Sequence, residues 1–119
     1  MKIIIKTKNL DLTPSLENYV EEKISSLKKF VDVLKKDEDK NTLSEVFVEI
    51  EKETRHHNKG EVFGAEARIL LPGKKIMAEA AGDDLLLAIV EIKDKLQQEL
   101  KKYKEKRVEE GRRRARKMA

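Results

Sequence analysis

Two amphipathic stripes bracket a set of short alternating segments, and this arrangement leaves the chain few ways to fold. Leu16, Val20, Ile24, Leu27, Val31 and Leu34 recur at steps of three and four, giving a helix with one apolar face that runs to about Lys36. Thr13 can cap its start, and Pro14 at the first helical position loses nothing by lacking an N–H. Leu85, Ile89, Ile92, Leu96, Leu100 and Tyr103 make the second stripe, with Asp83 or Asp84 as its cap and Gly111 as its stop. A helix with a single apolar stripe must lay that stripe on something, so both need a common apolar surface.

The segments around and between them supply it. Ile3, Ile5 and Thr7 alternate with Lys2, Ile4 and Lys6, and Val46, Val48 and Ile50 alternate with glutamates and Phe47. Ala65, Ala67, Ile69 and Leu71 continue in phase, and Ile76, Ala78 and Ala80 follow after a Pro72-Gly73 turn. A period of two with one apolar face marks a half-buried strand. The polar runs DEDKNT (37–42) and RHHNKG (55–60) read as connections. Small residues at four inward positions let a helix lie close.

The element order is therefore β-α-β-β-β-α. It predicts an α+β fold in which a four-stranded mixed sheet carries both helices on one face. The first two strands, joined through a helix, are expected to be parallel, and the rest to form an antiparallel meander. A chain of 119 residues has room for one core. We place the domain at residues 1–110 and expect 111–119 to be a basic, flexible tail.

No stretch approaches the roughly 18 apolar residues of a membrane helix, and the apolar run after Met1 is too short for a signal peptide. A cytoplasmic protein with no membrane partner is expected. The chain has no cysteine, which excludes disulfides and thiolate metal sites.

Charged residues make up 42% of the chain, yet the net charge is only +4, so their position carries the information. Residues 101–119 hold ten basic and three acidic side chains, a net of +7, which leaves residues 1–100 at −3. Concentrated positive charge of this kind faces phosphate or acidic surface. At about 100° per residue, Lys95, Lys102 and Lys106 fall within about 40° of one another on one flank of the second stripe. Lys23, Ser26 and Lys29 trace a flank of the first at steps of three, with Lys28 on the opposite side. Packed side by side, the helices could border one cationic groove of the kind that holds folded RNA by its phosphates.

The segments IIIKTKNLDLTPSLENYVEEKISSLKKF and GDDLLLAIVEIKDKLQQELKKYKEK resemble the two helical signatures of the ribosome hibernation-promoting factor family, which includes the ribosome-associated inhibitor also called protein Y. The stretch from EVFVEIEKET to GAEARILLPGKKIMAEAAG resembles that family's strands, so the likeness spans about residues 2–107. The more specific signature is Asp83-Asp84-Leu85, Ala88-Ile89, Asp94-Lys95-Leu96 and Leu100.

The resemblance implies a fold similar to double-stranded-RNA-binding domains. It implies a stress-response role: the protein would bind the small ribosomal subunit at the subunit interface through ribosomal RNA, occupy the messenger RNA and tRNA sites, and inhibit translation. It places Lys23, Lys29, Lys95, Lys102 and Lys106 where the family has RNA-contacting basic residues. Ser26 and Gln98 stand where the family is often basic, and Leu86 where it often has an aromatic. Lys28, Lys101, Lys104, Arg107, Arg112 and Arg113 are the basic residues placed to make up for those departures. The chain reads as a short member of the family, ending in RRRARK where some short members end in acid.

Other chemistries have weaker support. His56-His57 are adjacent, so on a strand or hairpin they point apart, and no third His or Cys completes a metal shell. Glu45, Glu49 and Glu51 follow the alternation of a wet strand face, not the convergence of acid and base. Gly64 and Gly73 belong to no phosphate-loop motif. No enzyme activity, cofactor, metal or small-molecule substrate is expected. The competing readings are a general double-stranded-RNA binder and a protein-interaction module that uses the exposed sheet face around Phe47, Leu70 and Met77.

Overall fold

The computed structural model describes residues 1–34, 45–53, 62–71 and 73–118, except for the side chains of 33, 34 and 107–118. The strands are β1 (Lys2–Lys8), β2 (Glu45–Glu53), β3 (Val62–Leu71) and β4 (Lys74–Gly82). The helices are α1 (Pro14–Ser25), α2 (Lys28–Leu34) and α3 (Leu85–Met118). The connections expected at 37–42 and 55–60, and His56-His57 with them, lie outside the described residues.

One four-stranded sheet has the order β1-β2-β3-β4. β1 and β2 are parallel, with Ile3 opposite Val46 and Ile5 opposite Val48. The other two pairings are antiparallel, and they align Val48 with Ala67 and Ala67 with Ala78. This register puts every in-phase apolar residue on one face, where Val46, Val48, Ile50, Ala65, Ala67, Ile69, Leu71, Ile76 and Ala78 are buried. Gly73, between β3 and β4, has a φ of +74°, a conformation in which a Cβ would be strained.

Both helical layers share the buried face. Val20, Ile24, Leu27 and Val31 from α1, α2 and the turn between them join Ala88, Ile89, Ile92, Leu96 and Leu100 of α3 in one core cluster with the sheet. α3 lies over β3 and β4 while α1 lies against β1. The placement of α3 follows from side-chain size: Ala65 pairs with Ala80 and Ala67 with Ala78, so the sheet beneath it is thin. Thr13 caps α1, its Oγ1 accepting from the Leu16 N–H at 3.2 Å. Of the two aspartates before α3, Asp84 is the cap, accepting from the Leu87 N–H at 3.1 Å.

Two boundaries differ from the sequence reading. The first helix is not continuous but breaks at Ser26-Leu27, where the Leu27 and Phe30 N–H groups bond to carbonyls only three residues back. The Ser25 hydroxyl donates to the Glu22 carbonyl and the Ser26 hydroxyl to that of Lys23, the back-bonding that bends helices at serine. The apolar stripe survives because Leu27 and Val31 stay buried across the break. The second difference is that α3 does not stop at Gly111 but continues to Met118, through the boundary placed at 110. One glycine costs a helix about 1 kcal/mol, and the Arg, Lys and Ala that follow favour helix, the cations also suiting its C-terminal dipole.

Candidate nucleic-acid interface

The helical layer carries the candidate cations in two groups. The first lies in the groove between α1/α2 and α3. Tyr19 of α1 reaches α3 directly, its hydroxyl donating to the Leu86 carbonyl at 3.5 Å. The Lys23 ammonium sits 5.4 Å from the centre of the Tyr19 ring, and that of Lys29 sits 5.2 Å from the centre of the Phe30 ring. Lys101 of α3 approaches the same Phe30 ring, at 5.7 Å. Lys23, Lys29 and Lys101 are thus gathered along one interhelical groove, each against an aromatic face that attracts a cation without neutralising it.

The second group occupies the other flank of α3. Lys95 donates to the main-chain carbonyl of Glu79 at 2.7 Å, which turns it toward β4 and away from α1 and α2. Lys102 pairs with Glu99 at 3.5 Å, both exposed. Lys106 is exposed on the same flank. Lys95, Lys102 and Lys106 therefore form the ridge that their spacing predicts, but this ridge borders the sheet edge and not the groove containing Lys23 and Lys29. The groove's α3 partner is Lys101.

Lys28 stands on the far side of the α2 stripe and is tied to Asp32 at 2.9 Å. Lys104 is exposed beyond the groove, and the side chains of Arg107, Arg112 and Arg113 lie outside the described residues. Of the positions that depart from the family pattern, Ser26 is engaged with the backbone, Gln98 is exposed beside Lys95, and Leu86 is 47% exposed next to Tyr19. The sequence reading missed Tyr19 and Phe30. The spacing of four between Tyr19 and Lys23 could have shown the first pair, whereas the Phe30–Lys101 contact exists only through packing.

The open face of the sheet has a different character. Arg68 lies 5.2 Å from the Phe47 ring centre, and Leu70 and Met77 are about half exposed. Lys6, Glu49, Glu66 and Glu79 form the neighbouring cross-strand row, and Lys2, Lys8 and Lys75 lie on the same face, so this face mixes acidic and basic side chains around its apolar residues. Among the described residues no group of His, Cys, Asp or Glu is arranged to hold a metal ion, and no helix is long and apolar enough to cross a membrane.

Comparison with known proteins decides the family. The family described as "Sigma 54 modulation protein / S30EA ribosomal protein" matches residues 3–108. The chain belongs to this family. A relative from Azotobacter vinelandii named "Ribosome hibernation promoting factor" is 33% identical over 109 residues, covering 92% of this chain and 88% of the relative. One from Haemophilus influenzae named "Ribosome-associated factor Y" is 30% identical, covering 89% of this chain and 85% of the relative. The fold is shared with a ribosomal subunit interface protein from Coxiella burnetii, at a TM-score of 0.64 and 24% identity, covering 87% of this chain and 98% of that one. In this S30EA family member, both helical signatures and all four strands, apart from Lys2 at the start of β1, fall within the matched range.

Proposed function

We propose that this protein is a ribosome hibernation factor. It binds the small ribosomal subunit at the subunit interface through ribosomal RNA, occludes the messenger RNA and tRNA sites and inhibits translation under stress. The observation that carries this reading is the similarity, along nearly its whole length, to relatives named for ribosome hibernation or for ribosome association. The arrangement of charge supports it. Lys23, Lys29 and Lys101 in the groove, with Lys95, Lys102 and Lys106 on the outer ridge, form a cationic layer on helices fixed by a common core. Rigid presentation of several cations suits folded RNA, which is held by phosphate and shape contacts.

The protein acts by binding and not by catalysis, in the cytoplasm where ribosomes are found. Lys28, Arg107, Arg112 and Arg113 extend the contact beyond the two central groups. The test is sedimentation of the purified protein with ribosomes through a sucrose gradient, together with inhibition of a translation extract. Co-sedimentation that resists excess duplex RNA is expected. Loss of the complex to duplex RNA would favour a general double-stranded-RNA binder, and binding that survives neutralisation of the lysines would favour the sheet face around Phe47, Leu70 and Met77.

A further inference from the structure

The Phe30 ring is shared by ammonium groups from two helices. Lys29 of α2 lies 5.2 Å and Lys101 of α3 lies 5.7 Å from its centre. The two cations are therefore no further apart than those distances together. Two free lysines on neighbouring helices would instead swing apart, since like charges repel and long side chains gain entropy in water. The ring itself is held in place. Phe30 is half-buried against the core, and its N–H bonds to the Leu27 carbonyl at 3.0 Å, in the turn where the first helix breaks.

The way these two lysines are held sets them apart from the ion-paired ones. Lys28 is bound to Asp32, Lys93 to Asp94 and Lys102 to Glu99, so each must share or give up a carboxylate to meet a phosphate. No carboxylate among the described residues pairs with Lys29 or Lys101. A ring face attracts a cation by its quadrupole and leaves the full positive charge, and the N–H donors, available to an anion.

We propose that Phe30 is a positioning residue for RNA binding: its ring holds Lys29 and Lys101 as one two-cation unit that engages neighbouring phosphates of ribosomal RNA. This rests on the reading of the helical layer as the ribosome-binding surface. The residue acts through the lysines, with the interhelical packing bringing Lys101 to a ring that belongs to the other helix. Preorganisation of this kind raises affinity by reducing the ordering required on binding.

The experiment measures ribosome affinity at several salt concentrations for the full-length chain carrying Phe30→Leu, Phe30→Trp or Phe30→pentafluorophenylalanine, each with and without Lys29→Gln/Lys101→Gln. The fluorinated ring keeps the shape and apolar character of phenylalanine but not its cation-attracting faces, so it separates positioning from packing even if Phe30→Leu fails to fold. Both ring-disabling changes are expected to weaken binding by roughly 3- to 10-fold, the scale of one or two cation–π contacts, and Phe30→Trp to retain parental affinity. In the Lys29→Gln/Lys101→Gln background, the ring changes are expected to cost nothing further. Parental binding by the fluorinated variant, or an equal loss in both backgrounds, overturns the positioning role. Parental binding by Lys29→Gln/Lys101→Gln overturns instead the assignment of these lysines to the ribosome-binding surface, and with it this proposal's premise.

Discussion

The Lys95 ammonium hydrogen-bonds the main-chain carbonyl of Glu79 at 2.7 Å, which fastens α3 to the open edge of β4. An edge strand exposes unpaired backbone groups that can recruit another strand, and a charged side chain laid on that edge blunts it. Lys95 thus has a role in the free protein that its neighbours on the ridge do not share. Replacing it with Met, which keeps an unbranched apolar stem and loses the donor, is expected to lower unfolding free energy by about 0.5–1 kcal/mol. Lys102→Met is expected to stay within about 0.5 kcal/mol of the parent. Urea denaturation measures both, and coincident midpoints would mean that the bond to Glu79 contributes nothing.

Replacing Lys95, Lys102 and Lys106 together by Gln tests the ridge as a phosphate-binding surface. Counterion release ties the salt dependence of binding to the phosphates that the protein neutralises, so the slope is expected to flatten by roughly 0.7 to 0.9 log units for each phosphate that the variant no longer engages. Inhibition of a translation extract is expected to fall with it. Glu105→Gln, an exposed change that removes an acid from the same helix, is the control and should leave inhibition intact. A triple variant that binds and inhibits like the parent at matched salt would shift the site to the groove containing Lys23, Lys29 and Lys101, to the arginine tail or to the sheet face.

The close approach of α3 to the sheet depends on alanines. Ala67 is fully buried opposite Ala78, with α3 above both, so Ala67→Leu inserts volume where there is none to spare. Overpacking of this kind costs typically about 1–3 kcal/mol. Ile92→Ala, at a fully buried α3 position, is expected to cost about 2–5 kcal/mol by leaving a cavity. A thermal melt of each variant checks the pair, and an unchanged Ala67→Leu melting temperature would mean that α3 is not seated as described.

The sheet was legible in the sequence because a period of two determines which side chains share a face, and β1 to β4 follow it from Ile3 to Ala80. The break after Ser26 was not, because Leu27 and Val31 keep the stripe in phase whether the helix is straight or bent, and the signal lay in two serine hydroxyls bonding backward. The course of α3 through Gly111 was hidden for a related reason, since one unfavourable residue is outweighed by the helix-favouring run around it. For the site, spacing correctly put Lys95, Lys102 and Lys106 on one flank. Which flank faces α1 and α2 depends on tertiary packing, and so does the meeting of Lys101 with Phe30.

The end of α3 supplies the last prediction. Leu100 is its last buried residue and Tyr103 its last half-buried one among those whose side chains are described, yet the helix continues to Met118. Isolated helices shorter than about 12–15 residues are marginal in water. The backbone amides of residues 112–118 are therefore expected to exchange rapidly in the free protein, while those around Ile92 and Leu96 are protected. Residues 112–117 contain five cations and no acid, so contact with RNA would offset the cost of ordering them. Binding to ribosomes is expected to slow exchange in 112–118, and truncation after Gly111 to reduce the salt dependence of binding while leaving the melting temperature unchanged. Hydrogen-exchange mass spectrometry with and without ribosomes reads this directly. Slow exchange of the segment in the free protein would show that it is held by contacts other than those of the core, and an unchanged salt slope after truncation would remove the arginines from the RNA interface.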